Sequence, residues 1–280
     1  MTTDAAPLFG SIALAERIER VETQLITAAT DAARLRVGAG AFVIPITCGA
    51  ACYAEDGSPL NKIVGLGFGG VPSGDALGEI EQALAARACA TQVELSNLAD
   101  PAIGAALTNR GYQLVSFENV LGRSLQGVQQ PVTPSGVEVR LSDDRAAWLD
   151  VVVDGFAHPD VEGVPSHEDF PRAVVEKAIG DVEQAGATPY LALRDGVVAG
   201  GASMRLSEGV AQLTGAATAP AHRRHGVQTA LLSARLSDAM RAGCDIAVVT
   251  TQPGSKSQQN AQRRGFHLLY TRAVLVKQPR

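Results

Sequence analysis

Along the first forty residues the apolar positions Leu14, Ile18, Val21, Leu25, Ala28, Ala32 and Leu35 alternate spacings of four and three. That period predicts an amphipathic helix, with Ser11 placed to cap its start and Gly38 to end it. The spacing is heptad-like but short, so packing against a sheet is favoured over a coiled coil. Short strands are predicted over 41–47 and 50–53, and a turn at Glu55-Asp56-Gly57-Ser58-Pro59 leads to a third over 62–68. A glycine-rich stretch, 65–74, precedes a helix with Leu77, Ile80 and Leu84 on one face. A strand at 92–95, a short helix at 101–109 ending before Gly111, and a strand at 113–120 complete this half.

Residues 127–136, GVQQPVTPSG, hold two prolines, two glycines and no large core residue, which marks a domain boundary. A short strand at 137–140 follows, then a helix with stripe Trp148, Val152 and Phe156 and Ser142 as its expected N-cap. The segment from Ala157, AHPDVEGVPSHEDFP, is polar and broken by prolines. Asp195-Gly196 lies between apolar runs at 189–194 and 197–205, the strongest hairpin signal in the chain, because a type I′ turn needs positive φ at both central residues. Ser207-Glu208-Gly209 turns into a small, uncharged stretch, 210–218, that reads as a strand buried on both faces. From about Gln228 the pattern is helical, with Leu232, Leu236, Ala239 and Met240 on the apolar stripe, Arg235, Asp238 and Arg241 off it, and Gly243 as the stop. A strand at 246–250, a short helix at 258–264 and a final strand at 267–276 close the chain.

The 280 residues suffice for two domains, and 46% hydrophobic content lets each bury a core. A net charge of −5 argues against a general nucleic-acid partner. No long uncharged apolar run predicts a membrane span, and the N-terminus lacks the pattern of a secretory signal. Cys48, Cys52, Cys89 and Cys244 have no zinc-ligand spacing; buried, reduced thiols and a cytoplasmic setting are expected, with no metal.

The chemistry concentrates where the 210–218 strand meets the next helix. Pro220 ends the ladder, and His222-Arg223-Arg224-His225-Gly226 forms a basic turn. The first N–H groups of a helix lack intrahelical partners and lie at the positive end of its dipole, so they suit a phosphate. Gly226 has no Cβ to hold a ligand off, and Arg223 and Arg224 bring opposing charge. A solvated basic turn is the plainer alternative. A nucleotide-binding loop is a weaker one, because the Gly-Lys-Ser/Thr ending of a P-loop is absent.

This segment resembles the acyl-CoA-binding motif of the GCN5-related N-acetyltransferases (GNAT), in which a turn Arg/Gln-x-x-Gly-x-Gly/Ala opens the helix that holds the CoA pyrophosphate. Arg223-Arg224-His225-Gly226-Val227-Gln228 agrees at five of six positions and departs at Gln228. The resemblance implies an α/β (α+β) fold of mixed, mostly antiparallel sheets flanked by helices, and acetyl-CoA as acyl donor to a primary amine. It assigns Ala216, Ala217, Thr218, Arg223, Arg224, His225, Gly226, Val227, Gln228 and Thr229 to the cofactor, with a backbone N–H near Ala216–Thr218 polarising the thioester. It also implies that the 246–250 strand splays from its neighbour to admit the thioester arm. Ser255, Ser257 and Asn260 fall where polar side chains meet the pantetheine or adenosine portion. The family's tyrosine, four residues before the glycine, is replaced by Ala261, which leaves the general acid unnamed. The core strand carries Gln212 and Thr214 but no carboxylate, so candidate bases come from elsewhere: His158, Glu162, Glu168 and Asp154. Together with Asp160, His167 and Asp169, they either form a pocket for a cationic amine or line a solvated loop.

The two halves also resemble each other. At an offset of 154 residues, Gly111-Tyr112 falls on Gly265-Phe266, and strand–helix–strand falls on strand–helix–strand without a gap. Chance likeness of two such units is the alternative to duplication. Duplication gives a domain at 1–128, a linker at 129–136 and a domain at 137–280. The first has glycines but no arginine before its helix, and Asp75 would repel phosphate, so it reads as a worn copy. Two functions remain open: an N-acetyltransferase with one working site, or a non-catalytic acyl-CoA-binding regulatory protein.

Overall fold

A computed structural model describes residues 8–126, 134–158, 164 and 170–279. Asp160, Glu162, His167, Glu168, Asp169 and most of the linker lie outside the described residues.

Helix α1, Ile12–Val37, starts where Ser11 Oγ accepts from the Leu14 N–H (3.2 Å) and stops at Gly38, φ +76°. It packs on the sheet, as expected, and also on a helix of the second half, Arg172–Gln184. Ala15, Ile18 and Val21 meet Val120, Val210, Ile246 and Tyr270, while Ile26, Ala29 and Ala33 meet Ala50, Cys52 and Val64. Leu35, expected on the stripe, is exposed, because the helix has run past the sheet there.

The first half continues with β1 Phe42–Ile46, β2 Gly49–Tyr53, β3 Lys62–Val64, α2 Gly74–Ala85, β4 Thr91–Ser96, α3 Pro101–Asn109 and β5 Gln113–Ser124. The second has β6 Val137–Leu141, α4 Arg145–Ala157, α5 Arg172–Gln184, β7 Thr188–Arg194, β8 Val197–Ser207, β9 Val210–Thr218, α6 Val227–Arg241, β10 Ile246–Thr251, α7 Lys256–Gln262 and β11 His267–Lys277. The β7–β8 hairpin turns on Asp195 and Gly196 with φ of +51° and +80°, as its sequence requires.

Several expectations need correction. Strand β3 ends at Val64, not Phe68, because Gly65 and Gly67 take positive φ, and a Cβ at Gly65 would lie 2.1 Å from Thr23 Oγ1 of α1. The cap of α4 is Asp144, whose carboxylate accepts from Ala147 N, while the Ser142 hydroxyl donates to the Asp144 carbonyl. On α4, Trp148 and Val152 are buried but Phe156 is exposed. Helix α5 was absent from the sequence reading; its buried residues Ala178, Gly180 and Asp181 belong to the side that meets α1. Cys52 and Cys244 are buried, but Cys48 is exposed, its Sγ donating to the Gly65 carbonyl at 2.9 Å; all four thiols are free.

All eleven strands form one sheet in the order β1-β2-β3-β4-β11-β5-β10-β9-β8-β7-β6. The order is nearly symmetric about the β11–β5 pair. Parallel contacts β3–β4 and β9–β10 are counterparts; the other pairings are antiparallel. The closing strands are exchanged: β11 lies beside β4 of the first half, and β5 lies beside β10 of the second. Helices α2 and α3 cover one core, with Leu77, Ile80, Leu84, Ile103 and Leu107 fully buried or nearly so. Helix α6 covers another, through Leu231, Leu232, Leu236 and Ala239.

Candidate active site

Strands β9 and β10 pair in parallel at only three positions, the last being Gln212 with Val248. Beyond it β9 runs on to Thr218 and β10 to Thr251, so the two diverge, as the resemblance implies. On its other side β9 is bulged. Gly201 faces Ala217 and Ser203 faces Thr214, which sets Gly215 and Ala216 against Ala202 alone. Gly215 has φ +24°. Gly155 of α4 packs so closely on Ala217 that an added Cβ would lie 2.3 Å from the Ala217 Cβ.

Pro220–His222 forms one short 3-10 turn, and Arg224 (φ +65°) and Gly226 (φ +81°) are left-handed. A left-handed arginine is uncommon and costs on the order of 1–3 kcal/mol, which Gly226 avoids. Gly226 is the N-cap of α6 and supplies no side-chain acceptor, so the first-turn N–H groups are uncapped by the turn. Arg224 and His225 are exposed, Gln228 and Thr229 half-buried and Val227 buried. Arg223 is turned aside, donating to the carbonyl of His158. The sequence reading missed Arg264, at the end of α7: its Nη2 donates to Thr229 Oγ1 at 3.0 Å, bringing a guanidinium to the first turn of α6. Only its neighbour Gly265 had drawn attention. Arg123, from the first half, donates to the Arg264 carbonyl at 2.6 Å; burial and Arg264 lower its pKa.

Three buried side-chain atoms, on the turn, in the first turn of α6 and at the end of β10, have no partner among the described residues: His222 Nδ1, Gln228 Oε1 and Thr251 Oγ1. Buried polar atoms in folded proteins are nearly always satisfied, so each of these orphans is open to a polar ligand. Ser255 caps α7, its Oγ accepting from Gln258 N, and Asn260 is half-buried on the same short helix. Ala261, in the family's tyrosine position, is buried in the α6 core.

Of the candidate bases, His158 is exposed, with Nδ1 2.9 Å from the Asp154 carbonyl and 3.5 Å from its carboxylate. Asp154 also faces Arg172 at 3.6 Å. The structure sets His158 beside Arg223, not at the β9–β10 gap. Carboxylates near the gap come from the first half instead. Glu22 of α1 accepts from Gln212 Nε2 at 3.0 Å, at the last paired position of β9. On the same face, Arg272 meets Glu19 at 2.8 Å and Glu94 and Glu118 at 3.6 Å each, and Lys62 meets Glu94 at 2.6 Å. Burial, reinforced by Glu94, pushes the Glu118 carboxyl up to about 7. No cluster of residues suited to holding a metal occurs among the described residues.

A splayed parallel pair, a bulged strand and an uncapped helix after a basic turn form an opening suited to a phosphate-bearing ligand with an extended arm. Residues 156–266 match the family model "Acetyltransferase (GNAT) family". A GCN5-related N-acetyltransferase from Kribbella flavida shares the fold at TM-score 0.65 and 19% identity, over 98% of this chain and 96% of that one. A tandem GNAT protein from the clavulanic acid biosynthesis pathway matches at TM-score 0.62 and 13% identity, over 98% of each chain. A GCN5-related N-acetyltransferase from Sphaerobacter thermophilus matches at TM-score 0.52 and 17% identity, over 74% of this chain and 65% of that one. No curated protein matches the sequence. The match to the GNAT family model is confined to residues 156–266, and over its whole length the chain shares the fold of tandem GNAT structures. No described helix is long and apolar enough to cross a membrane.

Proposed function

We propose that the chain is an acetyl-CoA-dependent N-acetyltransferase with one working site, in the domain at 137–280, acting in the cytoplasm. The domain at 1–128 is its degenerate partner, joined through 129–136. The observation that carries this reading is the parting of β9 from β10 after Gln212 and Val248, directly before an uncapped helix start. The diphosphate of acetyl-CoA would accept from the first N–H groups of α6, with Arg224 and Arg264 adding charge. The acyl arm would enter between β9 and β10, past Thr251.

Direct transfer needs a neutral amine, a polarised thioester carbonyl and a departing thiolate. The amine nitrogen bonds to the carbonyl carbon, the carbon–sulfur bond breaks, and the amine proton passes to a base. Glu22 and Glu118 are the carboxylates we assign to that face, and Glu118, titrating near neutrality, suits the proton transfer. Their negative charge would also favour a cationic acceptor.

The test is acetyl-CoA affinity by calorimetry, followed by thiol release over a chemically diverse amine panel. Binding with turnover supports the reading; no binding refutes it. Binding without turnover supports a second reading, a non-catalytic acyl-CoA-binding regulatory protein, which Ala261 favours because it offers no proton to the thiolate.

A further inference from the structure

Arg235 reads as a surface residue of α6, yet it is 2% exposed. Its Nε donates to the Leu231 carbonyl at 3.2 Å, and its Nη1 donates to two strand carbonyls, Ser203 at 3.0 Å and Thr214 at 3.3 Å. No carboxylate pairs with it among the described residues, and burial pushes its pKa down to about 10. A buried charge without a counter-ion is costly, and a leucine or methionine would pack the same space more cheaply. The position of the two carbonyls explains the exception. Ser203 and Thr214 are the last regular pair before the bulge. From the opposite face, Trp148 Nε1 donates to the carbonyl of Ala202, the residue that faces the bulge, at 3.0 Å.

The carbonyl of Thr214 and the N–H of Gly215 belong to one peptide group. All described peptides are trans, so the two point in opposite directions. A single nitrogen of Arg235 reaches Thr214 and Ser203 together, which places the Thr214 carbonyl on the β8 side. The Gly215 N–H therefore faces β10, where the ladder ended at Gln212. It points into the gap. A cationic donor on a peptide carbonyl also strengthens the N–H of that peptide as a donor.

We propose that Arg235 is a positioning residue that holds and polarises the Gly215 N–H for the thioester carbonyl oxygen of a bound acyl-CoA. The proposal rests on the acyltransferase reading and moves the donor one residue before the Ala216–Thr218 segment named from the sequence.

The experiment is isotope-edited infrared spectroscopy of acetyl-CoA labelled at its carbonyl carbon, bound to the wild type, Arg235→Lys and Arg235→Met, with CoA affinity measured in parallel. In the wild type the carbonyl stretch should fall below its value in water. In Arg235→Met that shift should be lost while CoA affinity stays within about twofold, the diphosphate contacts being intact; Arg235→Lys should keep part of it. An unchanged stretch in folded Arg235→Met overturns the proposal, as does an equal loss of CoA affinity. If Arg235→Met does not fold, the Gly215 amide of the wild type decides: its proton should move downfield with acetyl-CoA and not with CoA, and identical responses overturn the proposal. Wild-type protein that binds neither ligand refutes the acyltransferase reading itself, a result distinct from binding without carbonyl polarisation.

Discussion

The two halves place the same strand–turn–helix unit at both ends of one sheet, and they treat the opening beyond it in opposite ways. In the second half, β9 and β10 part after Gln212 and Val248, and β9 continues for six residues with a bulge against β8. In the first, β3 and β4 meet only at Ile63 and Val93, and the space beyond is closed by the chain itself. Leu66 is wholly buried there, the Gly67 carbonyl accepts from Asp100 N at 3.1 Å, and an added Cβ at Gly67 would come within 2.6 Å of Ala99. The helix starts differ in the same sense. Ser73 Oγ caps α2 by accepting from Ala76 N, and Asp75 places negative charge in its first turn. At the matching helix start α6 has no side-chain cap, and Gln228, the second residue of the helix, stands where Asp75 does in α2. One topology thus leaves the opening free in one half and filled in the other through a handful of local residues.

The comparison can be broken most directly by removing the charge that distinguishes the second half. Arg224→Ala with Arg264→Ala should raise the acetyl-CoA Kd by about a hundredfold or more, each lost charged contact costing roughly 1.5–3 kcal/mol. Affinity unchanged in calorimetry would place the diphosphate elsewhere. A smaller effect comes from importing the first half's residue. Gln228→Asp should weaken acetyl-CoA binding by roughly tenfold through repulsion at the helix start, and the loss should shrink as salt rises; a variant that binds as well as the wild type would show that a carboxylate where Asp75 stands does not deter the diphosphate. Titration of the wild type should give one acetyl-CoA per chain, and a second site of similar affinity would contradict the closure around Leu66 and Gly67.

The smallest effect concerns the junction of the halves. The Glu118 carboxyl is raised from an ordinary value of 4.5 to about 7, so the folded state holds its proton more tightly than the unfolded chain. The stability this gives is fully present below about pH 4.5 and is lost as pH rises through about 7. Glu118→Gln should therefore flatten the fall in melting temperature between pH 5 and 8. Parallel curves for the two proteins would show that Glu118 ionises normally.

Much of this was legible in the chain because its cause is local. The Asp195-Gly196 hairpin, the Ser11 and Gly38 helix limits, the basic turn and the 154-residue offset each follow from a few neighbouring residues. What escaped depends on distant partners. Helix α5 has its apolar positions at Val174, Val175, Ala178, Ile179 and Val182, but it follows a polar, proline-broken segment, and the face it buries is fixed by α1. Arg235 is charged, and only the bulge 20 to 30 residues earlier makes its burial sensible. Glu22 and Arg264 carry no motif; long-range packing brings one to Gln212 and the other to Thr229. The strand exchange is invisible for the same reason, since periodicity says that a segment is a strand and not which strand lies beside it.

That exchange has a consequence for the half without a site. Strand β5 is hydrogen-bonded to β10 along the whole of β10, from Ile246–Ser124 to Thr251–Asn119, so the first half backs one wall of the candidate cleft. Losing it would strip β10 of that neighbour and leave β11 without either of its own, β4 and β5, baring raw strand edges prone to aggregation. Severed at the linker, neither piece would carry its full complement of strands, whereas the two expressed together could knit back into one sheet. Whatever it binds, the first half is needed to complete the sheet of the second.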